Sequence, residues 1–189
     1  MDTEKTLVLI KPDGILRGII GEIISRFERV GMKIVAIKML QAPRDVLEKH
    51  YYKDEKWFKE KGELYKKKLG MPEETDPILI GKNIIEGVIK DMQISPVIAI
   101  VLEGHNAVRT VKKMTGPTNI DDALPGTIRG DFSHDTFALA NKSNRPILTI
   151  IHATDDPAEA QKEIYFWFSP DEIHSYKKPE EDVHYRIRE

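Results

Sequence analysis

A chain of 189 residues that is 40% hydrophobic can build one ordinary core, or at most two small ones. Its 29 Lys and Arg nearly balance its 31 Asp and Glu, leaving a formal net charge of -2, so bulk electrostatics gives no reason to expect nucleic acid or an anionic membrane as partner. The absence of cysteine excludes disulfides, thiolate nucleophiles and cysteine metal sites together. The opening MDTEKTLVLIKPDG carries neither a basic leader nor a long apolar stretch, and no run approaches the length that spans a bilayer. A soluble, cytoplasmic protein is expected, and any anion site in it must be local.

In chain order, residues 6–10 form an apolar run rich in β-formers, and residues 18–30 follow with Ile19, Ile20, Ile23, Ile24, Phe27 and Val30 at helical spacing. Gly31 stops that helix, residues 32–40 read as a second strand, and Pro43 opens a short helix carrying Val46, Leu47, His50 and Tyr51. Residues 59–82, highly charged and then broken by two prolines and two glycines, read as an insertion. A helix over 83–92, a buried strand over 96–102 (PVIAIVL) and a helix over 105–115 restore the core pattern. Residues 116–144 are rich in Gly, Pro, Asp, Asn and Thr, which fits a binding loop. A strand is expected over 146–154, then a helix started by Asp155, Asp156 and Pro157 and running through Phe168. The polar tail after Ser169 wraps the surface. The pattern is that of an α/β sandwich with helices covering one sheet.

Histidine is the side chain best suited to carry a phosphoryl group at neutral pH. A lysine is neutral in only about one molecule in 2500 at pH 7, whereas a histidine is neutral about three quarters of the time. His152 ends the run ILTIIH just before a helix start, where free backbone amides favour anions. On position alone it reads equally as a solvated or core histidine. Lys11 to Gly14 (KPDG) puts a cation and a turn at the end of the first strand, and PGTIRGDF sets Arg129 in the long loop. Taken singly, KPDG is an ordinary turn and Arg129 an ordinary surface cation. His50, His105, His134, His174 and His184 lack metal-ligand spacing and read as structural or exposed. Lys66, Lys67 and Lys68 read as a solvated helix face, and Trp57 and Trp167 as core or interface.

Together, VLIKPDGILRGIIGEIISRFERVG, EKHYY, PVIAIVLEG, GPTN, PGTIRGDF and IHATDDPAEAQKEIYFWF resemble the nucleoside diphosphate kinase family, in the right order and over most of the chain. The resemblance implies a single domain over 1–189, with the insertion at about 59–82 and an expanded loop at about 133–145. It implies a ferredoxin-like α/β (α+β) sandwich with an antiparallel sheet, and assembly into homo-oligomers, usually hexamers. It implies a ping-pong reaction in which a nucleoside triphosphate phosphorylates His152 and a nucleoside diphosphate removes the phosphate. Glu163 would orient the imidazole, Tyr51 would pack beside it, and Lys11 would hold phosphate or sugar. Thr118 and Arg129 would contact phosphates, and Phe58 would stack on the base. Mg2+ would ride on the nucleotide phosphates, in keeping with the lack of a Walker A loop or a carboxylate cage.

The chain departs from the family in two places. Thr149 stands where an asparagine is usual, offering one hydroxyl in place of an amide. Lys112 replaces an arginine and cannot make the planar bidentate phosphate contact. Thr154 takes the place of a serine. These departures leave open a nucleotide or single-stranded nucleic-acid binder that lost efficient transfer, and the insertion leaves open a scaffold role.

Overall fold

Apolar runs without alternation belong to strands covered on both faces, and the two longest such runs pair at the centre of the sheet. The computed structural model describes residues 3–185, apart from the side chain of His184. Its elements are β1 (Glu4–Ile10), α1 (Pro12–Leu16), α2 (Ile20–Arg29), β2 (Lys33–Leu40), α3 (Arg44–His50), α4 (Glu55–Leu69) and α5 (Pro77–Asp91). They continue with β3 (Val97–Gly104), α6 (Ala107–Thr115), α7 (Ile128–Phe132), α8 (Phe137–Lys142), β4 (Ile151–His152), α9 (Pro157–Trp167) and α10 (Glu181–His184). The sheet order is β2-β3-β1-β4 with every pair antiparallel, which is the expected ferredoxin-like arrangement.

Side chains alternate across the strands. Leu7, Leu9, Val97, Ala99 and Val101 face Leu47 of α3, Ile89 of α5, and Ile164 and Trp167 of α9. Val8, Ile10, Ile98, Ile100 and Leu102 face Ile23 and Phe27 of α2, Val111 of α6 and Ile128 of α7. Helices therefore cover both faces. On β2 the register slips between Ile34 and Ala36, a bulge, and the Val35 carbonyl accepts the His174 N–H of the tail at 2.8 Å.

The strand expected over 146–154 shrinks to Ile151 and His152. Ile150 adopts a φ of 63°, and the Ile151 N–H donates to Thr149 O at 2.6 Å, closing a tight three-residue turn. No local signal asks a β-branched residue for that conformation, and distant groups impose it. Lys11 N–H donates to Ile150 O at 2.8 Å, and the Asp13 carboxylate accepts Ile150 N–H at 2.7 Å. Gly14 is needed beside the turn, since a Cβ there would stand 3.2 Å from Ile150 O and 2.9 Å from Ile10 Cγ2.

The segment read as an insertion is largely helical, in keeping with the helix face read at Lys66, Lys67 and Lys68, and the helix expected from residue 83 begins at Pro77. Asp54 and Asp76 cap α4 and α5 by accepting the N–H groups of Trp57 and Ile78, and Gly70 ends α4 in the left-handed region. Lys66, Lys67 and Lys68 fill the last turn of α4, where cations favour the helix dipole. Turn residues between two capped helices explain the broken rhythm. α8 likewise occupies part of the loop expected over 133–145. Among the described residues no helix is long and apolar enough to cross a membrane.

The α4–α5 pair closes on two glycines. A Cβ on Gly62 would lie 1.8 Å from Pro77 O, and one on Gly81 would lie 2.4 Å from Phe58 O. Backbone cannot rotate away as a side chain can. Gly81→Ala, which in an open helix gains roughly 0.5–1 kcal/mol, is therefore expected to destabilise the protein by about 1–3 kcal/mol. A lowered denaturant midpoint at unchanged slope checks this, and a raised midpoint would contradict the close approach.

Candidate active site

His152 is placed by β4, which pairs it with Leu9 and so turns its ring toward the face covered by α3 and α9. On α9 the core positions Ala160, Ile164 and Trp167 define a buried stripe, and Glu163 belongs to the same stripe. Its carboxylate meets His152 Nε2 at 2.9 and 3.0 Å, with side-chain exposures of 5% for Glu163 and 21% for His152. Nδ1 is thereby left as the nitrogen not engaged by Glu163. Tyr51 follows α3 with its ring edge-on to His152 at 6.5 Å, and its buried hydroxyl has no hydrogen-bond partner.

His50 was expected to be structural or exposed. It is buried, but it lies within the histidine's own surroundings, with its ring 4.4 Å from that of His152 and its Nδ1 3.8 Å from Glu163 Oε1. The signal for it was present in α3, where Leu47 and His50 share one helical face. His105, His134 and His174 are exposed. Among the described residues, the one group of three His, Asp or Glu side chains close enough to share an ion is His50, His152 and Glu163.

Four cations lower the proton affinity around the ring. Burial is the largest cause, followed by Lys11, Lys112, Arg129 and Lys53, and together they hold His152 well below the usual histidine value. The ring is neutral at pH 7. Burial pushes Glu163 up to about 7, and Lys11 is lowered to about 8 by burial and by Arg129. Lys112 is also lowered, chiefly by burial.

Three of these cations bond to neutral oxygens. Lys11 Nζ donates to Thr149 Oγ1 and Lys112 Nζ to Ala153 O, both at 2.9 Å. Arg129 is a buried clamp: Nε donates to Thr149 O, Nη1 to Gly116 O and Nη2 to Ile151 O at 3.1, 2.8 and 2.7 Å. Burial lowers it to about 10. It ties the long loop to the turn at Ile150. Thr118 is exposed, and Phe58 is half-buried on α4 with its ring 5.8 Å from Trp57. Neither bonds to the group around His152 among the described residues. Asp13, which the sequence marked only as part of a turn, anchors Ile150. Thr154 Oγ1 accepts Asp156 N–H at 3.2 Å, and Asp156 caps α9.

A neutral imidazole backed by a carboxylate and ringed by cations, on a ferredoxin-like sandwich, is chemically able to accept a phosphoryl group. The family profile "Nucleoside diphosphate kinase" matches residues 4–67 and 78–173, leaving the α4–α5 connection outside the match. The chain is 42% identical to a nucleoside diphosphate kinase of Pyrobaculum aerophilum over 181 residues, 92% of this chain and 99% of the relative. A solved structure of an NDP kinase from that organism superposes with a TM-score of 0.84 at 40% identity, covering 92% of this chain and all (100%) of the other. A transition-state mimic of the Borrelia burgdorferi nucleoside-diphosphate kinase with bound vanadate and ADP superposes with a TM-score of 0.78 at 38% identity, covering 98% of each chain. The chain belongs to the nucleoside diphosphate kinase family.

Two outcomes follow from the geometry. Arg129→Lys keeps the charge but supplies one nitrogen for three separated carbonyls, so denaturant unfolding should show a loss of about 2–5 kcal/mol. For Glu163 the folded pKa, about 7, lies above its ordinary 4.5. Its contribution is therefore fully present below 4.5 and lost as pH rises through 7. The stability of Glu163→Gln relative to the parent should climb across that window and level off above it. A flat difference would contradict the burial of an ionisable carboxyl.

Proposed function

We propose that His152 Nδ1 is the nucleophile through which this kinase moves a γ-phosphate from a nucleoside triphosphate to a nucleoside diphosphate. The observation that carries the assignment is the bond between Nε2 and Glu163, which places the ring proton on Nε2 and the lone pair on Nδ1. The Nδ1–P bond forms as the bond from the γ-phosphorus to the β-γ bridging oxygen breaks, and the electron pair leaves on the diphosphate. The ring then carries positive charge, which the Glu163 carboxylate stabilises through Nε2–H. In the second half-reaction a terminal β-phosphate oxygen of another diphosphate attacks the same phosphorus and frees Nδ1.

Lys11, Lys112 and Arg129 neutralise the migrating charge, with Thr118 as a further phosphate contact. Thr149 positions Lys11 and meets the sugar. Phe58 stacks on the base, and Tyr51 walls the ring. The cations favour anions without any carboxylate to displace, which suits a nucleotide that brings its own Mg2+ as part of the substrate. Nucleoside di- and triphosphate pools place the work in the cytoplasm. Assembly into homo-oligomers, as hexamers, would cover the outer strand β2, where Ile37 and Met39 are 50% and 56% exposed.

Incubation with γ-labelled ATP should leave acid-labile, base-stable label on the protein, and His152→Ala should take up none. Lys11→Ala should lower turnover by about 10²–10³-fold. Label retained by His152→Ala would overturn the assignment, and binding of nucleotides without exchange would favour the inactive binder.

A further inference from the structure

Folding brings together three side chains of metal-ligand type that are far apart in the chain. The ligand atoms of His50, His152 and Glu163 all lie within 4.8 Å of one another. His152 Nε2 is 2.9 Å and His50 Nδ1 is 3.8 Å from the same oxygen, Glu163 Oε1. Bonds of about 2.0–2.2 Å in a tetrahedral zinc site put neighbouring donors about 3.3–3.5 Å apart. The two measured separations bracket that value, and the two histidine nitrogens, within 4.8 Å of each other, would close toward it as an ion binds.

The tautomer of His50 leaves a lone pair for such an ion. The Trp167 Nε1–H points at His50 Nδ1 from 3.4 Å, so Nδ1 is the acceptor and the proton sits on Nε2, which is buried without a partner. Burial, with help from His152, Lys11 and Lys53, lowers the pKa of His50 to about 3, and the ring is uncharged at neutral pH. With Glu163 ionised, His50 Nδ1 and Glu163 Oε1 are two acceptors facing each other across 3.8 Å. A cation would relieve that opposition, and the long contact from Trp167 is the weakest bond it would have to displace.

We propose that His50, His152 and Glu163 form a binding site for a borderline transition-metal ion, zinc being the representative, and that its occupation blocks phosphorylation of His152. Two imidazoles and one carboxylate make a donor set that suits zinc, with a fourth position left for water. Magnesium demands oxygen ligands in octahedral array and keeps its waters, so the nucleotide's own metal does not compete. The block rests on Nδ1 being the attacking atom. A neutral imidazole has one proton, and an ion on Nε2 moves it to Nδ1, where it occupies the lone pair that would meet phosphorus. Entry is from the solvent-facing edge of His152, the one member of the three that is not buried.

The test uses the full chain in buffer free of phosphate and chelators at neutral pH. Zinc chloride alone is titrated in competition with a chromogenic chelator, for the parent, for His50→Phe, and for a triple variant (His105→Ala, His134→Ala, His174→Ala) that removes exposed imidazoles. One zinc per chain is expected, weakened by more than about a hundredfold in His50→Phe and unaffected in the triple variant. Zinc should stop labelling of the parent by γ-labelled ATP and EDTA should restore it, while whatever label His50→Phe accepts should be insensitive to zinc. Should His50→Phe fail to fold, zinc-edge X-ray absorption of the parent decides, a shell with two imidazoles being expected and an all-oxygen shell overturning the site. Retention of zinc by His50→Phe, or its loss from the triple variant, also overturns it. Bound zinc that leaves labelling intact overturns the block. A zinc-free parent that takes no label overturns the kinase reading, and the metal site is then judged on the titration alone.

Discussion

Ile150 occupies a backbone conformation that a β-branched residue does not choose, and the position of His152 depends on it. Holding a non-glycine residue there costs on the order of 1–3 kcal/mol. The cost is met by Lys11 N–H on its carbonyl, Asp13 on its amide, and Arg129 on the carbonyls of Thr149 and Ile151 to either side. The turn ends strand pairing after two residues and brings His152 between α3 and α9. With free rotation at Ile150 the ring would have no fixed direction.

The same groups give the cleft its charge. Lys11, Lys112 and Arg129 spend their hydrogen bonds on a hydroxyl and on carbonyls, so their net positive field, offset in part by Asp13, Asp91 and Asp155, falls on His152. Burial sharpens the effect in both directions. It keeps the imidazole unprotonated, as a nucleophile requires, and it strains Lys11, whose pKa drops to about 8. In the role proposed for Lys11, an incoming phosphate relieves that strain and charge repulsion becomes affinity.

The two departures from the family pattern acquire physical content here. Thr149 uses its hydroxyl oxygen to accept Lys11 Nζ, and its carbonyl to accept Arg129. It organises cations more directly than it offers a free group to a sugar. Lys112 reaches Ala153 O, one residue past the nucleophile, and acts on His152 as a point charge.

Much of this was readable along the chain. Unbroken apolar runs announced β1 and β3 and the Asp156-Pro157 pair announced α9, because each depends on a few neighbouring residues, whereas KPDG and PGTIRGDF read singly as an ordinary turn and a surface cation. The short β4, the burial of Arg129, the start of α5 at Pro77 and the approach of His50 to Glu163 were not readable. Ile150 is bent by partners as far away in the chain as Lys11 and Asp13, and His50 meets Glu163 across 113 positions of chain only because α3 and α9 cover the same face. Composition and periodicity determined which segments would be strand or helix and which chemistry was available. The tertiary structure alone decided which side chains would share one low-dielectric space, since burial and Coulomb interaction act through distance in space and not along the chain.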